Sequence, residues 1–199
     1  EGIDTGDIIY SKEFIFPESA KSPLERQIYS REIALVAFND LIELFIKNGT
    51  LPKGRMQSDH QSTYFPRLNS NVHGCINWSW TAIDIERFIQ AFDDPYDGAF
   101  TRLCNHSIKV RLKKVRRISS EYEYHPFQSG IIYRINEEGL FICTNRGALF
   151  IGEVLDEEGN SYLKALNLGD RFYSTEEDLS RALSTRVFYS PSGMQKSKS

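Results

Sequence analysis

Cysteine is scarce in this 199-residue chain: Cys75, Cys104 and Cys143 form an odd set with no CxxC pair and no histidine at ligand spacing. That argues against a disulfide framework or a zinc site and fits reduced thiols in a cytosolic protein. A nucleophilic cysteine needs a positioned base, and the sequence nominates none. No apolar run approaches the roughly 20 residues of a membrane span, and no basic segment leads into an apolar one as in a secretory signal, so a soluble chain is expected. Charge of one sign is also missing. The formal net charge of −3 speaks against a dedicated nucleic-acid binder while leaving room for a local basic patch. The chain has no initiator methionine and opens on an acidic, glycine-bearing turn, Glu1-Gly2-Ile3-Asp4-Thr5-Gly6. What is present is a 40% hydrophobic, 26% charged composition, enough for one medium domain or two small ones with a real core.

Residues 1–16 read as a strand pair or strand plus turn, with apolar Ile8, Ile9, Phe14 and Phe16 around Lys12 and Glu13. A helix start follows: Ser22 caps, Pro23 takes the first helical position and Glu25 completes a capping box. Ile28, Leu35 and Ile42 recur every seven residues with Phe38 and Phe45 between them, predicting one apolar stripe facing a core, and Gly49 and Pro52 stop the helix. Residues 53–75 have no periodicity and read as a loop or linker. A second helix is predicted from Thr81 to Phe92, with Ile85, Phe88, Ile89 and Phe92 on one face, broken by Asp93-Asp94-Pro95-Tyr96-Asp97-Gly98.

From Ala99 the period changes to two: Ile108, Val110 and Leu112 alternate with Lys109, Arg111 and Lys113. Further strands are predicted at 130–135, 140–144, 148–155 and 162–166, separated by turn residues, which at this spacing predicts a small OB-like barrel. A short helix from Thr175 to Leu183 and a polar tail close the chain. The expected fold class is α+β: the tail of a Rossmann-like α/β catalytic domain (1–52), a helical linker (53–98), a small OB-like β domain (99–190) and the tail (191–199).

Two segments carry a family resemblance. Gly2-Ile3-Asp4-Thr5-Gly6-Asp7-Ile8 resembles the acidic turn near the end of the catalytic domain of the formyltransferase family. Ile76-Asn77-Trp78, the helix that follows and Pro95-Tyr96-Asp97-Gly98-Ala99-Phe100-Thr101 resemble that family's entry into its C-terminal β domain. The family includes methionyl-tRNA formyltransferase and the sugar-nucleotide N-formyltransferases. The resemblance implies a Rossmann-like catalytic domain, 10-formyltetrahydrofolate as formyl donor, and a catalytic Asn, His and Asp. Only the Asp has a matching position here, Asp4, expected to handle a proton and orient the histidine, with Gly6 beside it at the donor. The Asn and His belong upstream, and His60, His73, His106 and His125 all lie downstream, so this chain is expected to be the inactive rear portion of a longer enzyme.

Tyr64-Phe65-Pro66-Arg67 is the second candidate. An aromatic ring stacks on a base and an arginine holds phosphate oxygens bidentately. Through the resemblance, Tyr64, Phe65 and Arg67 imply a nucleotide-linked amino sugar as acceptor; the plainer reading is a linker clamp. Trp78 and Trp80 read as packing residues. Lys109, Arg111, Lys113, Lys114, Arg116 and Arg117 crowd one segment, either a solvated strand face offset by acidic turns or a phosphate-contacting one. The second reading keeps methionyl-tRNA as an alternative acceptor, and a free OB-like binding module as another class. A homodimer is compatible with the resemblance, and no metal is expected.

Overall fold

A computed structural model of the chain describes residues 6–58, 60, 63, 65–104, 108–119, 123–190 and 193–195. The chain divides into two compact units, Glu1–Phe65 and Pro66–Ser199.

In the first unit the predicted helix α1 spans Pro23–Asn48. Ser22 Oγ accepts from the Glu25 amide, and a Glu25 carboxylate oxygen accepts from the Ser22 amide, so the capping box forms as read. Gly49, at φ 70°, ends the helix with its amide on the Phe45 carbonyl. The apolar stripe is there, but it does not face a core: none of the helix residues is buried, and Leu35 and Phe38 are 63% and 58% exposed. The predicted strand pair at the start is corrected as well. Among its described residues the segment forms no strand and makes one bridge, between Ile8 and Arg55. With no neighbouring strand to pair with among the described residues, its aromatics hold it instead: Phe14 and Phe16 cluster with Tyr29 of α1. Tyr10 Oη and Lys12 Nζ both donate to Asp40 Oδ2, at 2.9 and 2.7 Å, which holds that carboxyl below its ordinary pKa.

The second unit holds the core. It begins with a short helix α2 (Ser70–His73) and the predicted helix α3 (Ala82–Ala91), whose start is capped by Thr81. The strands are β1 (Ala99–Leu103), β2 (Ile108–Ile118), β3 (Ile132–Asn136), β4 (Gly139–Thr144), β5 (Gly147–Leu155) and β6 (Phe172–Tyr173). All neighbours are antiparallel, in the order β3-β4-β5-β2-β1-β6. The two outermost strands then meet: Ile131 bridges Arg171, Phe172 N donates to Gly130 O at 2.9 Å and Ile132 N to Asp170 O at 2.8 Å. The curled sheet is the antiparallel half of the expected architecture; a Rossmann tail is not visible among the described residues of the first unit.

Ile85 and Ile89 of α3 are fully buried against Val110, Leu112, Leu140, Ile142, Leu149 and Ile151. The helix assigned to a linker is therefore part of the sheet's core, because its apolar face covers the inner side of β2. Trp78 stacks on Phe172 at 5.9 Å and donates from Nε1 to Thr101 Oγ1 at 2.8 Å, so it is the packing residue expected.

The strand predicted at 162–166 is a 3₁₀ turn, Leu163–Ala165: Tyr162, Leu163 and Leu166 lie at helical rather than alternate spacing, and the turn carries Leu166 into the core. A helix α4 forms at Glu176–Ser184 as predicted. Within the predicted tail and just before it, β7 (Phe188–Ser190) pairs with β8 (Gly193–Gln195).

Candidate functional site

Strand β2 organises the surface chemistry. Its side chains alternate as read until Lys114, which sits at φ 55° opposite Gly152 of β5. There the phase changes: Val110 and Leu112 enter the core before it, Val115 after it. The register with β5 is unbroken, since Lys113 pairs with Glu153 and Val115 with Ile151. The outer face thus carries Lys109, Arg111 and Lys113 on one stretch and Arg116 on the next.

The first stretch is neither a solvated face nor an open phosphate surface. Arg111 and Lys113 are buried, because the turn that the sequence showed only as a helix breaker crosses over them. Lys113 Nζ donates to Asp94 Oδ1 at 2.5 Å and to the Tyr96 carbonyl at 2.9 Å, and lies 3.9 Å from Asp93 Oδ1. Asp93 also accepts from the Lys114 amide at 2.8 Å. Arg111 donates to Asn71 Oδ1. Lys109 lies over the Phe100 ring at 4.1 Å, with Glu157 3.9 Å away. Burial, followed by the Arg111 charge, holds the Lys109 ammonium below its usual pKa.

Three depressions run along this face. One of about 680 Å³ is lined by Arg67, Leu68, Phe92 and Tyr96 among others. The next, about 560 Å³, shares Tyr96 and adds Arg111, Lys113 and the turn 156–159. The third, about 580 Å³, shares residues 156–158 of that turn and adds Arg102, Lys109 and Arg181. The turn is internally held: Asp156 Oδ1 accepts from the amides of Glu158 and Asn160 at 3.0 and 2.8 Å, which lowers its carboxyl pKa. In the middle of this trough Asp94, Asp97 and the 156–158 turn surround the buried Arg111 and Lys113, so acidic groups outnumber basic ones there.

Of the residues expected at a site, Arg67 reaches this trough, whereas Phe65 is 85% exposed and belongs to the other compact unit. Tyr64 and Asp4 lie outside the described residues. Gly6 is exposed, and its carbonyl accepts from Gln57 Nε2 at 2.7 Å. Tyr96, Arg102 and Arg181 also line the trough and were not singled out from the sequence, although Tyr96 falls in the segment 95–101 that carries the family resemblance.

The described histidines offer no base at a nucleophile. His73 Nδ1 accepts from the Asn69 amide at 2.8 Å while Nε2 meets the Thr185 carbonyl at 2.9 Å. His125 Nδ1 accepts from the Phe127 amide. Cys75 is buried, and burial pushes its thiol pKa up, the opposite of what a nucleophile requires. Among the described residues no cluster of His, Cys, Asp or Glu is placed to hold a metal ion, and no helix is long and apolar enough to cross a membrane.

Residues 70–168 match the family described as formyl transferase, C-terminal domain, and this part of the chain belongs to that family. The chain is 31% identical over 158 residues to methionyl-tRNA formyltransferase of Desulfotalea psychrophila, covering 79% of this chain and 46% of that protein. It is 30% identical over 174 residues to methionyl-tRNA formyltransferase of Blochmanniella floridana, covering 86% and 52%. The chain thus spans about half the length of these curated relatives. Among solved structures, HypX from Aquifex aeolicus shares the fold, with a TM-score of 0.56 and 17% identity over 79% of this chain and 26% of HypX. A structure of HypX in complex with tetrahydrofolic acid gives a TM-score of 0.54 at 18% identity, again covering 79% and 26%. None of these similarities supports the expected amino-sugar acceptor.

Proposed function

We propose that this chain is the rear portion of a formyltransferase that takes its formyl group from 10-formyltetrahydrofolate and passes it to the amino group of methionyl-tRNA. The observation that carries the proposal is the similarity to methionyl-tRNA formyltransferases over 79% and 86% of the chain, extending beyond the C-terminal domain into both compact units. The tetrahydrofolate complex of a structural neighbour supports the donor. In this reading residues 1–52 end the catalytic domain, and the exposed stripe of α1 is where the preceding part of that domain packs. Asp4 handles the proton released by the attacking amine and holds the upstream histidine in its useful tautomer. Arg67, at the trough, supplies a guanidinium for phosphate oxygens.

The test is formyl transfer by the full-length protein from 10-formyltetrahydrofolate, with initiator methionyl-tRNA and a nucleotide-linked amino sugar offered separately. The expected result is transfer to the tRNA alone, reduced about 10²–10⁴-fold in Asp4→Asn, the range of a lost general acid–base group. Transfer to the sugar alone, or full activity in the variant, would overturn the acceptor or the role of Asp4 respectively.

A further inference from the structure

A stretch that the sequence reading set in the linker reaches back to the residues that follow Asp4. Ile8 N donates to Arg55 O at 2.9 Å and Arg55 N to Ile8 O at 3.0 Å, an antiparallel bridge. Two residues before Ile8 and two after Arg55, Gln57 Nε2 donates to the Gly6 carbonyl at 2.7 Å, across 51 residues of sequence. Gly54 lets the two stretches lie this close, since a β-carbon there would fall 2.5 Å from Asp7 Cβ. At Gly6 the opposite holds: a β-carbon would meet nothing within 4 Å. Among the described residues, the end of the Asp4-Thr5-Gly6 motif is therefore tied by hydrogen bonds rather than wedged by packing. It is tied at the residue type whose backbone is freest to move.

We propose that Gln57 is a positioning residue for Asp4, acting through the Gly6 carbonyl; the inference rests on the proton-handling role proposed for Asp4. Gly6 stands two residues after Asp4, so whatever fixes its carbonyl also limits where the backbone that bears Asp4 can go. A carboxylate that takes a proton from an attacking amine works only when placed to within about half an ångström, and a misplacement of about 1 Å costs about 10²-fold. The Ile8–Arg55 bridge sets the register that brings Gln57 opposite Gly6, and the side-chain amide then makes the last tie. A primary amide suits this task because it donates without carrying charge. A lysine or arginine at the same position would also hold the carbonyl, but its positive charge would favour the ionised carboxylate and make it a poorer base.

The test measures formyl transfer to methionyl-tRNA by the full-length protein, with kcat and KM separated, for Gln57→Ala, Asp4→Asn and the double variant. Gln57→Ala is expected to lower kcat about ten- to a hundredfold, with KM for the tRNA and for the folate donor unchanged and the thermal midpoint kept. In the Asp4→Asn background the same substitution should cost nothing further, because a residue that acts only through Asp4 has nothing left to place. Gln57→Glu keeps the shape of the side chain but at neutral pH offers no N–H, and should match Gln57→Ala in kcat. If Gln57→Ala lowers the thermal midpoint, Gln57→Glu takes its place in the cycle. Unchanged kcat in the folded alanine or glutamate variant would overturn the proposal, as would a loss confined to KM or a full multiplicative loss in the double variant. Full activity in Asp4→Asn would overturn the reading on which the inference rests. Activity lost in Asp4→Asn but kept in both Gln57 variants would overturn this inference alone.

Discussion

At the scale of single residues, the most consequential contact in the second unit joins Arg102 of β1 to Asp178 in the first turn of α4. Arg102 Nε and Nη2 donate to Asp178 Oδ2 and Oδ1 at 2.5 and 3.2 Å, and Thr175 Oγ1 donates to Oδ2 at 2.9 Å. The carboxylate side chain is only 7% exposed, and these bonds, the guanidinium first, hold its pKa below the ordinary aspartate value. A depressed carboxyl pKa contributes stability that is complete above the unfolded value near about 4 and is lost as pH falls through the folded one. Asp178→Asn, which leaves the guanidinium without its counter-charge, is therefore expected to cost about 3 kcal/mol at neutral pH. The gap to the wild type should close on acidification below about pH 4, where the wild type loses the same contribution. Denaturant titrations of both proteins at neutral and acid pH check this; a gap that stays constant would assign the loss to packing. Nothing in the sequence marked this pair, because its partners are far apart along the chain. Arg111 and Lys113 were likewise read as strand-face cations, since an alternating pattern says which face a side chain takes and not what crosses that face.

At the scale of elements, local chemistry was legible wherever it is self-contained. The Ser22 capping box and the Gly49 stop depend on residues within one turn, and both form; Thr81 and Thr175, read as the first residues of their helices, cap them. The phase change in β2 was harder to read, though Val115 following Lys113-Lys114 breaks the alternation that Ile108, Val110 and Leu112 set up. Lys114 holds a left-handed backbone that costs a side-chain-bearing residue about 1–2 kcal/mol. Its ammonium pairs with Glu153 at 3.5 Å, a loose contact with 61% of the lysine side chain exposed. Lys114→Gly should consequently unfold at a denaturant concentration equal to or above the wild type's. A drop exceeding about 1 kcal/mol, more than glycine's ordinary entropic cost, would show that the kink does not strain the backbone.

At the scale of the whole molecule, the two units differ in where their apolar surface goes. Pro66–Ser199 contains every member of the continuous core from Ile76 to Phe172. Glu1–Phe65 has one long helix with no buried residue. A protein of residues 66–199 is accordingly expected to fold alone with a single cooperative transition. Circular dichroism and a dispersed amide NMR spectrum check it, and a gradual, non-cooperative melt would contradict it. The sequence reading divided the chain at residues 52 and 98, setting the Ala82–Ala91 helix in a linker because it follows an irregular stretch. Only the burial of Ile85 and Ile89 shows that the helix belongs with the sheet.

The contact of Ile131 with Arg171 bears on how the second unit behaves at high concentration. An open antiparallel sheet presents rows of unpaired amides and carbonyls that template pairing with another copy. Here those rows satisfy each other, with Gly130 at φ 84° set so closely that a β-carbon would lie 2.1 Å from the Phe172 carbonyl oxygen. A side chain at that glycine would therefore do more than strain one turn. It would pry apart the seam and turn a self-contained sheet into one with two adhesive edges, so solubility depends on the same few backbone atoms as stability.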